Sequence, residues 1–427
     1  MILRKRLLSV ALAFVAVSAL TLGQAVPAQA DTIRSLEYWL GTYGFNQAWN
    51  TTRGAGVIVA IIDSGIARVP DLGNAVIGGA DFSGIGAADG RTPVGASRDH
   101  GTLVASLLAG RGTGAGAGVI GTAPEASLLS ASVALGVTTD IPSDQQIADA
   151  IRWSVDNGAS VINMSLTRNS LEWPRSWDDA FLYAFEHDVV IVAAAGNRGT
   201  GTEEVGAPAT IPGVLTVAGL NANGTASYDA SSQGITIGVA APGEQLVGVG
   251  ASGQYVTWSG SSGAAPLVSG LVALVRASHP ELNAANVIQR VLATATPVDT
   301  VPSPIYGHGV INAAAAVTAT VAPVDANPLG SLTDWIHLYR RAESTSTATP
   351  LPTTTATPLP LPSEPYGSSG APTSFTGTNA AVPLAFLLGF GSLIGLGCIG
   401  VFRRARRVID VPETEDIEDE PITPPVL

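Results

Sequence analysis

Five short apolar runs constrain this chain more than any other feature: Val57–Ile62, Leu128–Ala134, Val161–Met164, Val189–Ala194 and Val214–Val217. They are strand-length; the first is rich in β-branched side chains, and the others are mainly apolar, with Ser130, Ser132, Asn163 and Thr216 among them. A strand apolar along its whole length is buried on both faces, as happens in parallel sheets covered by helices on each side. Helical stretches, Ser143–Asn157 and Trp177–Glu186, lie between the runs, and each leads through a polar break into the next one. Strand–helix–strand alternation predicts an α/β domain built on a parallel sheet with helices on both faces. No internal repeat is visible.

The ends are of a different kind. Arg4-Lys5-Arg6, an apolar run from Leu7 to Leu22, and Ala28-Gln29-Ala30 before Asp31 have the order of a secretory signal peptide, residues 1–30. Residues 380–402 form an uncharged apolar segment, long enough for a transmembrane helix. Arg403, Arg404, Arg406 and Arg407 follow it, which places the C-terminus in the cytoplasm. The reading is a single-pass protein of the cell membrane, with its bulk extracytoplasmic and an acidic, Pro-rich cytoplasmic tail over 403–427. Residues 322–379 read as a Pro/Thr/Ser-rich linker. Thr345–Pro362 contains only Thr, Ser, Pro, Ala and Leu. Fully extended as polyproline, such a stalk reaches on the order of 100 Å. One globular unit, 31–321, remains.

Composition removes several chemistries. The single cysteine, Cys398, falls inside the apolar C-terminal segment. The exported part therefore has no disulfide, no cysteine nucleophile and no thiolate metal site. The only lysine, Lys5, belongs to the signal peptide, so a Ser–Lys dyad, a Schiff-base lysine and a P-loop lysine are excluded from the mature chain. A net charge of -13 argues against nucleic acid as a partner.

In open parallel sheets, ligands collect at the carboxyl ends of strands. The first run ends at Asp63-Ser64-Gly65, and Asp99-His100-Gly101-Thr102 opens a charge-free helical stretch. Val189–Ala194 leads into Ala195-Gly196-Asn197, and Gly260-Ser261-Ser262-Gly263-Ala264-Ala265-Pro266 opens another apolar helix. Pro266 is expected in the first helical turn, where no N–H is needed. Taken singly, these are also a turn Asp, a helix-start His, a turn Asn and an N-cap Ser. Taken together they supply a nucleophile, a base, a carboxylate to orient it and an oxyanion donor. Their chain order, Asp, His, Asn, Ser, is the subtilisin order of the triad.

The same stretches resemble the signature blocks of subtilisin-like (S8) serine peptidases. Supporting blocks are Gly121-Thr122-Ala123-Pro124, Val161-Ile162-Asn163-Met164-Ser165-Leu166 and Tyr306-Gly307-His308-Gly309-Val310-Ile311-Asn312. The resemblance implies a three-layer αβα domain acting on polypeptide substrates. Ser262 would be the nucleophile, His100 the general base and then acid, and Asp63 the residue orienting His100. Asn197 would supply the side-chain half of the oxyanion hole. Ser165 and Leu166 would pair with the substrate backbone, and Ala193, Ala195 and Gly196 would help wall the pocket before the cleaved bond. No cofactor is required. Calcium is frequent in the family, but no ligand cluster in this sequence is assigned to it.

The full layout is similar to the mycosins, membrane-anchored proteases that accompany type VII secretion complexes. Two other roles fit the layout: a structural part of such a complex with dispensable catalysis, and a general cell-surface protease. The chain departs from the pattern at Ser261 and Gly263, where Thr and a bulkier apolar residue are usual. It departs again at Thr167 in place of Gly, and in having no disulfide cysteines. Only about 25 residues separate Ala30 from the first strand, fewer than an inhibitory prodomain of the usual kind needs.

Overall fold

The computed structural model describes residues 28–298 and 300–340. Most of the expected signal peptide 1–30, most of the expected linker 322–379, the expected span 380–402 and the expected tail 403–427 lie outside these residues. Among the described residues, no helix is long and apolar enough to cross a membrane.

Seven parallel strands form the central sheet: β1 (Ile58–Asp63), β2 (Val76–Asp81), β3 (Ser127–Ser132), β4 (Val161–Met164), β5 (Val190–Ala194), β6 (Leu215–Leu220) and β7 (Ile237–Pro242). Their order across the sheet is β2-β3-β1-β4-β5-β6-β7. All five apolar runs became strands, and β5, β6 and β7 are buried along their whole length. β2 and β7 were not read from the sequence. β2 is a half-buried edge strand interrupted by Gly78 and Gly79, so it lacks the apolar signature. A two-stranded antiparallel ribbon, β8 (Leu246–Val249) and β9 (Tyr255–Trp258), follows β7.

Three short N-terminal helices, α1 (Ala28–Ser35), α2 (Tyr38–Thr42) and α3 (Phe45–Ala48), precede β1. The helices that cover the sheet are α4 (His100–Ala109), α5 (Ser143–Asp156), α6 (Arg175–Glu186) and α7 (Ser261–Ser278). α5 packs on α6, and the two lie over β1, β3 and β5. α4 packs on α7, which runs across β4, β5, β6 and β7. The result is the expected αβα layering.

After α7 come α8 (Ala284–Ala293), α9 (Ala313–Thr318) and α10 (Leu332–Tyr339). α10 corrects the expected boundary at 321, because the first part of the supposed linker is folded against the domain. Ser331 caps the helix by accepting the Asp334 N–H at 3.2 Å. Trp335 stacks on Trp173 with 4.4 Å between ring centroids, and Arg340 pairs with Asp178 at 3.0 Å.

Strand order reverses around β1. From it the chain builds β3 and β2 on one side and β4 to β7 on the other. The crevice between the ends of β3 and β4 is the place where such a sheet offers a site, and β1 ends there on Asp63.

Candidate active site

Asp63 is 2% exposed. Its Oδ1 accepts the Ser64 N–H at 2.7 Å, and both carboxylate oxygens lie 2.9 Å from His100 Nδ1. A carboxylate only accepts, so Nδ1 carries the proton. In the neutral ring, Nε2 is then the basic nitrogen. Burial by itself lowers the His100 pKa, but the Asp63 charge and hydrogen bond outweigh it, and the net shift is upward. Trp258 meets the imidazole edge to face, with ring centroids 5.7 Å apart.

Gly101 explains why glycine follows His100. The N-terminus of α4 presses against the turn after β1, and a Cβ on Gly101 would stand 2.4 Å from the Gly65 carbonyl oxygen. The Gly101 N–H donates to Ser64 Oγ at 2.9 Å. These contacts tie the two motifs, Asp63-Ser64-Gly65 and His100-Gly101-Thr102, into one unit.

Ser262 is the second residue of α7, which begins at Ser261. Pro266 is therefore not in the first turn, as the sequence suggested, but inside the helix. The Ser261 N–H is taken by Asn197 Oδ1 at 2.8 Å and the Gly263 N–H by the Gly260 carbonyl at 2.9 Å. The Ser262 N–H between them has no partner among the described residues. With Oδ1 turned to the Ser261 N–H, Asn197 Nδ2 is free to donate. The Ser262 hydroxyl rests on the Ser165 carbonyl at 3.1 Å and is not hydrogen bonded to His100.

Asp63, His100, Ser165, Leu166 and Ser262 line one cavity of about 270 Å³. Its walls include Leu135 and Gly136, which follow β3, and Ser165 to Thr167, which follow β4. An extended peptide laid between them would run along two strand ends, the geometry of strand addition. Asn197 lies in an adjoining hollow with Ser259 and Gly260. Ala193, Ala195 and Gly196 are buried and line neither space. Gly196 instead holds Ser261, its N–H and carbonyl both bonded to Ser261 Oγ at 3.0 and 2.9 Å. Leu246 fills the space beside Gly263, since a Cβ there would meet Leu246 Cδ1 at 2.4 Å.

Leu135, Gly136 and Trp258 were missed in the sequence. The first two follow an apolar run directly and sit at a strand end, as Asp63 does. Nothing local marks Trp258, which reaches His100 only through the β8–β9 ribbon. Among the described residues no three His, Cys, Asp or Glu side chains gather as a cation site.

The pattern of the subtilase family, Peptidase S8, matches residues 54–309. Mycosin-4 of Mycobacterium tuberculosis is 33% identical over 321 residues, covering 65% of this chain and 68% of its own. The crystal structure of MycP1 from Mycobacterium smegmatis is similar with TM-score 0.59 and 30% identity, over 68% of this chain and 86% of that one. MycP3 protease, from a type VII (ESX-3) secretion system, is similar with TM-score 0.57 and 31% identity, over 66% and 88% of the two chains.

Proposed function

Because this chain belongs to the subtilase family of serine peptidases, we propose that it is a membrane-anchored endopeptidase that hydrolyses exported polypeptides at Ser262, in association with a type VII secretion complex. The observation that carries the catalytic part is the Asp63–His100 contact in the same cavity as Ser262. The chemistry follows from those groups. Ser262 Oγ turns from the Ser165 carbonyl to His100, gives its proton to Nε2 and attacks the peptide carbonyl carbon. The Ser262 N–H and Asn197 Nδ2 hold the oxyanion. Asp63 fixes the tautomer and stabilises the imidazolium. Collapse breaks the C–N bond, the leaving amine takes the proton from Nε2, and water then cleaves the ester by the same steps in reverse.

The anchored, extracytoplasmic placement rests on the sequence at 1–30 and 380–407. The secretion role rests on similarity to mycosins, including MycP3 of a type VII secretion system. A fluorophosphonate probe tests catalysis. The expected result is labelling of the folded wild type and none of Ser262→Ala; a folded but unlabelled wild type refutes it. Comparing new protein termini in wild-type and Ser262→Ala cultures then identifies substrates. If Ser262→Ala restores secretion to a deletion strain while a chain cut before residue 380 does not, assembly outweighs cleavage.

A further inference from the structure

Pro266 creates a local deficit at the nucleophile. In a helix the Ser262 carbonyl would accept the N–H of residue 266, and proline has none. The carbonyl is instead met from outside the helix, by Ser165 Oγ at 2.8 Å. Ser165 is held in turn by Asn163 Nδ2 at 3.0 Å, and Asn163 Oδ1 accepts from Ser269 Oγ at 2.8 Å. All three side chains are buried, with Asn163 and Ser269 at 0% and Ser165 at 3% exposure.

The polarity of this chain of bonds has one solution. The Ser262 carbonyl can only accept, so Ser165 must donate to it. Ser165 Oγ is then the acceptor for the Asn163 amide, and the Asn163 carbonyl oxygen can only receive the Ser269 hydroxyl. The bonds start from Ser269 within α7, pass through the end of β4 and return to the first turn of α7. They join residues 97 apart at Ser165 and Ser262, and 106 apart at Asn163 and Ser269. Asn163 sits mid-sheet, in register with Ile61 of β1 and Val192 of β5.

We propose that Asn163, Ser165 and Ser269 form a positioning relay that replaces the hydrogen bond lost at Pro266 and holds the Ser262 backbone in its catalytic place. This rests on the protease reading above. Two functional parts depend on that backbone: the Ser262 N–H, which meets the oxyanion, and the direction of the Ser262 Oγ bond. The relay therefore acts on the chemical step. The Ser165 hydroxyl is distinct from the Ser165 backbone groups assigned to substrate pairing, so its removal leaves those groups in place.

The test uses the full chain and a fluorogenic peptide that the wild type cleaves. Ser165→Ala is expected to lower kcat and the fluorophosphonate labelling rate about tenfold, with KM changed less than about twofold. Tenfold is about 1.4 kcal/mol, the upper part of the range for one net hydrogen bond. Adding Pro266→Ala supplies an N–H to the same carbonyl from within the helix. The Ser165→Ala/Pro266→Ala double variant is expected to recover kcat to within about threefold of wild type. An unchanged kcat in Ser165→Ala overturns the proposal, as does a loss that Pro266→Ala does not repair or one confined to KM. Should Ser165→Ala fail to fold, Ser269→Ala reads the relay from its far end. A drop of about threefold in kcat supports the relay, and no drop refutes it. A wild type that is folded, unlabelled and inactive sinks the protease reading itself, a different outcome from any of these.

Discussion

Glu37 offers a sharp test of how the N-terminal segment is held. It is 3% exposed, accepts the Ile120 N–H at 2.9 Å and lies 2.9 Å from Arg34 Nε. Arg34 also donates to the Ala117 and Gly118 carbonyls. Beside it, Asp71 is 2% exposed, takes the Val119 N–H at 2.7 Å and faces the Tyr255 hydroxyl. Two buried carboxylates thus lie around the loop that follows α4, with Arg34 paired to Glu37 and acting on Asp71 through its charge alone. Burial dominates and raises the Glu37 pKa from 4.5 to about 8, with Arg34 and the Ile120 N–H opposing and the Asp71 charge adding.

A pKa raised on folding means that the folded state binds the proton more tightly. The stability it contributes is complete below pH 4.5 and is lost as pH rises through about 8. The shift corresponds to a ceiling of about 5 kcal/mol between the two protonation states. Relaxation around a buried charge reduces what is measured to on the order of 2 kcal/mol. Glu37→Gln keeps the acceptor for Ile120 and removes the titration. In a Ser262→Ala background, which prevents self-digestion, urea unfolding should show the two proteins within about 1 kcal/mol at pH 5. At pH 8.5 the Glu37→Gln variant should be more stable by about 2 kcal/mol. Parallel pH profiles for the two proteins would refute the reasoning.

Three further outcomes follow from the site. The acid limb of kcat/KM should lie above the ordinary histidine value, since His100 must be neutral to act and its pKa is raised. Asp63→Asn should move that limb down and cost about 10⁴ in kcat; an unmoved limb in peptide hydrolysis contradicts the assignment. Asn197→Ala should lower kcat by about 10²–10³ with little change in KM, which steady-state kinetics can separate. Gly101→Ala, whose Cβ meets the Gly65 carbonyl at 2.4 Å, should lower both Tm and activity because it pushes His100 away from Asp63. An active variant with wild-type Tm would show that this close approach is dispensable.

The sequence by itself determined the parallel sheet and pointed to the residues that the fold brings to one cavity, Asp63, His100 and Ser262. A mainly apolar run of strand length is a local property, so β1, β3, β4, β5 and β6 could be read from their own residues even though Ser130, Ser132 and Asn163 interrupt two of them. The strand-end rule then selected Asp63 and Asn197, and helix starts selected His100 and Ser262. Tertiary structure decided what depends on contacts between distant segments. β2 became a strand through pairing with β3 at the sheet edge, although its own residues carry glycine and polarity. α10 is held to the domain by Trp335 on Trp173 and by Arg340 on Asp178. The start of α7 at Ser261 put Pro266 inside the helix, and only the fold could bring Ser165 to the carbonyl this left unsatisfied. A buried polar group must find its partner wherever the chain places one. For Ser262 that partner lies 97 residues away, a distance over which the residue pattern carries no signal.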